Sequence, residues 1–203
     1  MSELGTVKDV IYSWVKTKLN AEYPAEFPIV NNVLSKLYWL ELRTKHPNTP
    51  YVTLNDIEVN DTQARTEHIL IQDSAVKRIK ERKEMIVTIG CYNLGTSSNL
   101  TDAKRFSENV INFLRQSFKT DEAIYFFHYD NGQYDIMINE QGISNIRDLT
   151  SFEQTTYNYR YEFDISFGFD ALIDETTAVG QTIDVEIDNQ NTGTTVIDIT
   201  IQE

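Results

Sequence analysis

The spacing of apolar positions divides the chain into elements before any other property is consulted. Val7, Val10, Ile11, Trp14, Val15 and Leu19 recur at helical intervals and predict an amphipathic helix over about 3–19. Val30, Val33, Leu34, Leu37 and Leu40 extend the same period, so 29–43 is expected to be a second helix, although Val33, Leu37 and Trp39 also fit one face of a strand. The breaker His46-Pro47-Asn48-Thr49-Pro50 closes that segment. Strands are expected at Tyr51–Val59, His68–Gln72 and Met85–Tyr92, from their β-branched and aromatic content. Phe106, Val110, Phe113, Leu114 and Phe118 mark a helix that Thr101 or Asp102 would cap. Ala123–Tyr129 and Gln133–Ile138 flank Asp130-Asn131-Gly132 as a hairpin. Tyr157, Tyr159, Tyr161, Phe163, Ile165, Phe167 and Phe169 alternate with polar residues in unbroken register, which predicts a long strand with one buried and one wet face.

Beyond Gly180, Thr182–Ile187 and Val196–Ile201 alternate on either side of a polar loop and predict a second hairpin. Two strands are not stable alone in water, so this hairpin needs a partner surface. Ile183, Val185, Ile187, Ile197, Ile199 and Ile201 are its candidate oligomer-interface residues. The fold class expected is α+β: a mainly antiparallel sheet packed against one or two long helices, with a C-terminal β-hairpin extension. The domains are drawn as 1–170 and 171–203.

Charge adds an asymmetry. The chain of 203 residues has a net charge of −13, but from Asp121 onward there are 17 acids and only two bases, Arg147 and Arg160. Residues 1–120 hold 14 acids and 16 bases. The acidic part is unsuited to gripping phosphate by counterion release. Lys77–Lys83, with five bases in seven residues, is read as a basic, solvated connection rather than a nucleic-acid patch. No apolar run reaches the roughly 20 residues that a membrane-spanning helix needs, and the N-terminus does not resemble a signal peptide.

Catalytic chemistry is not evident. His46, His68 and His128 fall in different segments, without metal-ligand spacing. Cys91, the single cysteine, excludes an internal disulfide, points to a reducing compartment and reads as a buried, inert thiol. Asp184, Glu186 and Asp188 share one strand face, yet strand alternation produces that pattern by itself and the calcium-loop spacing is missing. Glu140, Asp148 and Glu153 are too loosely spaced for an acid/base pair. The expectation is a non-enzyme without metal or cofactor.

The order of parts carries a resemblance. Pro50-Tyr51-Val52-Thr53-Leu54, Met85-Ile86-Val87-Thr88-Ile89, the helix from Ala103-Lys104-Arg105-Phe106 to Phe118, Ile146-Arg147-Asp148-Leu149, and the strand Tyr159–Ile165 follow one another. This succession, over about 50–170, resembles the bacteriophage neck or tail terminator (tail completion) family; residues 171–203 have no counterpart in it. The resemblance implies a structural virion protein, assembled in the host bacterial cytoplasm as a homo-hexameric ring. Such a ring caps the tail tube and joins it to the head-side connector or neck protein, with the sheath protein as a further neighbour. Viral DNA passes through the lumen without specific binding, and no membrane is involved. The alternatives are another head–tail connector, an adhesion-type β binding module, or a small hydrolase with an unrecognised site.

Overall fold

The computed structural model describes residues 3–40, 48–71, 74–95, 99–130, 136–153, 156–176, 183–187 and 195–199. It is a mixed α+β fold. Helix α1 (Glu3–Glu22) turns the predicted stripe inward: Val7, Ile11, Trp14, Val15 and Leu19 are all buried. Helix α2 (Leu100–Ser117) buries Val110, Ile111 and Leu114, with Phe118 following as its C-cap. Its start is one turn-corner earlier than expected: Asn99 is the N-cap residue, and neither Thr101 nor Asp102 serves. Phe106 and Phe113 are only partly buried, set edge-on to Tyr23 at 5.6 and 5.8 Å.

The helix expected over 29–43 is not formed in its described part, residues 29–40. In its place β1 (Ile29–Val30) and β2 (Val33–Leu34) pair antiparallel around Asn31-Asn32, and β3 (Leu37–Trp39) follows. Both turn residues have positive φ, 51° and 63°. A two-residue hairpin loop of this kind requires the left-handed region at both positions, which asparagine tolerates and β-branched residues do not. Asn32→Val is therefore expected to destabilise by about 1–2 kcal/mol, and Asn32→Gly to be neutral or better, in urea unfolding. Equal stability of the two variants would refute the turn assignment.

Strand β4 (Tyr51–Ile71) joins into one element what the sequence divides in two, and β5 (Ser74–Gly95) absorbs the basic run, which is strand rather than connection. After α2, the expected strand at 123–129 is instead helical. Thr120 caps α3 (Asp121–Tyr125) by accepting a hydrogen bond from the Ala123 amide at 3.2 Å, and a π-helical turn, Phe126–Asp130, continues it. Residues 131–135, where the Asn-Gly turn was expected, lie outside the described residues. Three short strands follow: β6 (Met137–Asn139), β7 (Arg147–Asp148) and β8 (Ser151–Glu153). Each pairs antiparallel with β9 (Thr156–Thr176), the long strand that alternation predicts.

The sheet order is β3-β4-β5-β9-β6, with β7 and β8 also on β9; β3 is parallel to β4. Tyr159, Tyr161, Phe163, Ile165, Phe167 and Phe169 of β9 join Met85, Val87, Ile89 and Cys91 of β5 on the face that packs with the helices. Phe118 sits inside this layer, with the rings of Trp14, Phe127, Phe163 and Phe167 at 6.0–6.4 Å. Strands β10 (Ile183–Ile187) and β11 (Thr195–Ile199) form a separate two-stranded antiparallel sheet. The chain divides into two compact units, residues 1–63 with 82–171 and residues 64–81 with 172–203.

Candidate functional site

Alternation along β9 places Arg160, Glu162, Asp164 and Ser166 on the sheet face turned away from the helical core. This face was expected to be simply wet, and it is not. Arg147, on β7, makes a two-pronged contact with Asp164, Nη1 to Oδ2 at 2.5 Å and Nη2 to Oδ1 at 2.8 Å, and reaches Glu162 at 3.3 Å. The Glu162 carboxylate also accepts from Arg160 Nε at 3.0 Å. Thr88 on β5 donates its hydroxyl to Asp164 at 2.7 Å. Arg160 lies over the ring of Tyr92 at 5.0 Å, and Tyr92 stacks on Tyr51 at 4.9 Å.

Charge alternation explains why these groups can leave water. Glu162 is only 6 % exposed, and an ionised carboxylate at that burial needs partners on both oxygens. The two arginines supply them, in the bidentate geometry that a lysine cannot match. The Arg147 guanidinium holds Asp164 below the usual carboxylate range, against the opposing effect of burial, with the Thr88 hydroxyl assisting. Arg147 in turn is held more firmly protonated by Asp164. Arg147 and Arg160 are the only two bases of the acidic part of the chain, and both belong to this network. That scarcity was the available signal for it. Cys91 is fully buried, and desolvation pushes its thiol up to about 12, with the Ser107 hydroxyl acting the other way. A thiol with so little thiolate is a packing residue.

Among the described residues, three pairs of large apolar or aromatic side chains are exposed. Val30 and Val33, opposite each other in the β1–β2 register, are 55 % and 56 % exposed. Tyr125 and Tyr129 lie 5.5 Å apart on the outside of the α3 and π-helical turns. Phe152 and Tyr157 pair across β8 and β9 with rings 4.7 Å apart.

Of the expected interface residues, Ile183, Val185 and Ile187 lie on β10 and Ile197 and Ile199 on β11, while Ile201 lies outside the described residues. The register sets Ile183 opposite Ile199 and Val185 opposite Ile197, so these five positions share one face of the hairpin. Asp184 stands opposite Asp198 on the other face. Asp188 of the acidic triplet, like His46, falls outside the described residues, and His68 and His128 lie on different elements. Among the described residues no group of three or more His, Cys, Asp or Glu is placed to hold a metal ion. No described helix is long and apolar enough to cross a membrane.

Among curated proteins, no sequence matches this chain. One family does, described as phage neck terminator protein, and its match runs over residues 6–198. It takes in nearly all of α1 and all but the last residue of the β10–β11 strands, as well as the stretch 50–170 whose order of parts carries the resemblance. With almost its full length matched, the chain belongs to the phage neck terminator family, structural components of the virion neck.

Proposed function

We propose that six copies of the chain form a ring that closes the end of the phage tail tube and joins it to the head-side connector, with the genome passing through the lumen. Family membership is the observation that carries this reading. The exposed clusters at Val30/Val33, Tyr125/Tyr129 and Phe152/Tyr157 support it, because a ring subunit needs at least two unlike surfaces for its neighbours and others for the tube and the connector. The sheath protein is a further candidate neighbour, and assembly takes place in the host bacterial cytoplasm.

The charge balance supports free passage of DNA. Glu162, Asp164 and Asp170 have arginine partners, so the repelling charge comes from the remaining acids after Asp121. Light scattering on the purified chain, alone and with isolated tail tubes, tests the ring: a six-fold mass in either condition is expected. A chain that stays monomeric in both, or binds connectors and ignores tubes, would sink the reading. In a low-salt mobility-shift titration, duplex DNA is expected to stay unbound; micromolar binding that added salt abolishes steeply would instead make Lys77–Lys83 a phosphate contact.

A further inference from the structure

We propose that the groove between helix α2 and strand β7 receives an arginine side chain from a partner protein, whose apolar residues then cover Phe152 and Tyr157. Lys104, Glu108 and Asn112, spaced four apart, form one stripe of α2 and one wall of the groove. Ile146 and Asp148, at β7, form the other wall, and Tyr161 of β9 lines the same cavity, of about 330 Å³. The Ile146-Arg147-Asp148 stretch thus serves two faces. Arg147 pairs with Glu162 and Asp164 on one side of the sheet, and its two neighbours turn to the other. Tyr161 is 4 % exposed, and its hydroxyl lies near Asp148 without making a hydrogen bond to it or to any other group. A buried hydroxyl without a partner costs stability, and an arriving polar group removes that cost.

The chemistry of the lining selects the occupant. Asn112 donates from Nδ2 to the Glu108 carbonyl at 3.0 Å, which leaves its side-chain oxygen as an acceptor. Glu108 and Asp148 add carboxylate oxygens, of which Asp148 Oδ1 already accepts from the Thr150 amide at 3.0 Å and hydroxyl at 2.5 Å. Those two bonds hold Asp148 below the usual carboxylate range against the opposing effect of burial. Two acids against one base, Lys104, leave a formal negative charge in the groove. A lining rich in acceptors and short of positive charge fits a cation with many donors, and a guanidinium carries five in a planar fork. Its apolar stem can lie along Ile146.

What adjoins the groove favours a protein side chain over a free guanidinium. Tyr157 and Tyr161 share one face of β9, about 13 Å apart, and the Tyr157 ring stacks at 5.9 Å on Tyr159 between them. Exposed Phe152 stands opposite Tyr157, so an apolar patch continues along the strand from the groove. Arginine and aromatic residues together are the usual anchors of an interface. Of the arginines whose side chains are described, Arg82, Arg115, Arg147 and Arg160 are engaged within the chain and Arg105 lies on α2 itself, which points to a different protein as the donor.

The binding of arginine stands apart from the ring reading above, which enters only through the partners tested. The chain, carrying isotope-labelled tyrosine, is titrated with Nα-acetyl-arginine amide and, as a neutral control, with Nα-acetyl-citrulline amide. The Tyr161 resonance, assigned by its loss in Tyr161→Phe, should shift saturably with the arginine amide in the millimolar range and stay put with the citrulline amide. Glu108→Gln combined with Asp148→Asn should weaken this binding about tenfold, with thermal unfolding unchanged. Tyr161→Phe separates a ligand group from a structural one, because a hydroxyl without a partner can be removed at no loss of stability. Docking is then read by co-sedimentation with isolated tail tubes and with connectors. The double variant should bind one of them about tenfold more weakly, and saturating arginine amide should compete with wild type. An equal response to the two amides, a Tyr161→Phe chain that melts markedly lower, or a double variant that binds tubes and connectors as wild type does would each overturn the proposal. A wild-type chain that binds neither tubes nor connectors fails the ring reading instead, and the amide titration alone then decides the groove.

Discussion

Replacing Phe118 with alanine is expected to destabilise the chain by about 3–5 kcal/mol, the range for truncating a fully buried phenylalanine. Phe118 has no exposed surface and closes α2 where four rings converge: Trp14 from α1, Phe127 from the π-helical turn, and Phe163 and Phe167 from β9. Those partners come from elements that are themselves tied down. Lys18 pairs with Glu122 at 2.6 Å and lies over the Trp14 ring at 4.4 Å, linking α1 to α3. The cost within that range depends on how far the four rings close over the space left behind. A chain of this size should melt about 10 °C lower. Phe152→Ala provides the contrast, because Phe152 is 60 % exposed and its loss should stay below about 1 kcal/mol. Equal shifts in thermal unfolding of the two variants would mean that the aromatic layer is not the centre of stability.

The second large effect is expected at Arg147. Its replacement by alanine leaves Glu162 and Asp164 with fewer counter-charges on a largely covered face, at a cost of about 2–3 kcal/mol at neutral pH once the partial exposure of the arginine is allowed for. Arg147→Lys should recover only part of this, since one ammonium cannot bridge both oxygens of Asp164. The dependence on pH follows from the direction of the Asp164 shift. Its carboxylate is held below the usual range when folded, so its contribution is complete above the unfolded value of about 4 and is lost as pH falls through the folded value. Acidification should therefore erode wild type more than Arg147→Ala, and the stability gap between them should narrow below pH 4. A gap that stays constant from neutral pH to pH 3 would show that the Arg147–Asp164 contact contributes no linkage.

The legible part of this fold was the part with strong periodicity. Helices α1 and α2 and strand β9 each place several apolar residues at one fixed interval, and burial on a single face enforces that pattern. Where the period is short or interrupted, the sequence misled. Val30, Val33 and Leu37 fit a helical spacing, yet the paired asparagines between the first two form a hairpin turn that apolar counting does not register. In β4 and β5, the polar stretches Asn60–Glu67 and Lys77–Lys83 have no apolar alternation, so continuous strands appear as strand, loop and strand. Thr120-Asp121-Glu122 is a helix start that the Asn-Gly turn signal overshadowed. The polar network was hidden for a different reason. Arg147 lies 15 residues before Glu162 and 17 before Asp164, and only the pairing of β7 with β9 brings them together.

The sheet order also governs how the chain folds. β5 ends at Gly95, whereas its neighbour β9 begins at Thr156, with both α2 and α3 made in between. The central pairing of the sheet is thus a long loop closure, and topologies of this kind fold slowly. During synthesis, β5 would wait with an open edge and an apolar face until β9 had emerged, a condition that favours aggregation. The central sheet is therefore complete only once β9 has been made, and the yield of folded chain depends on folding as well as on synthesis.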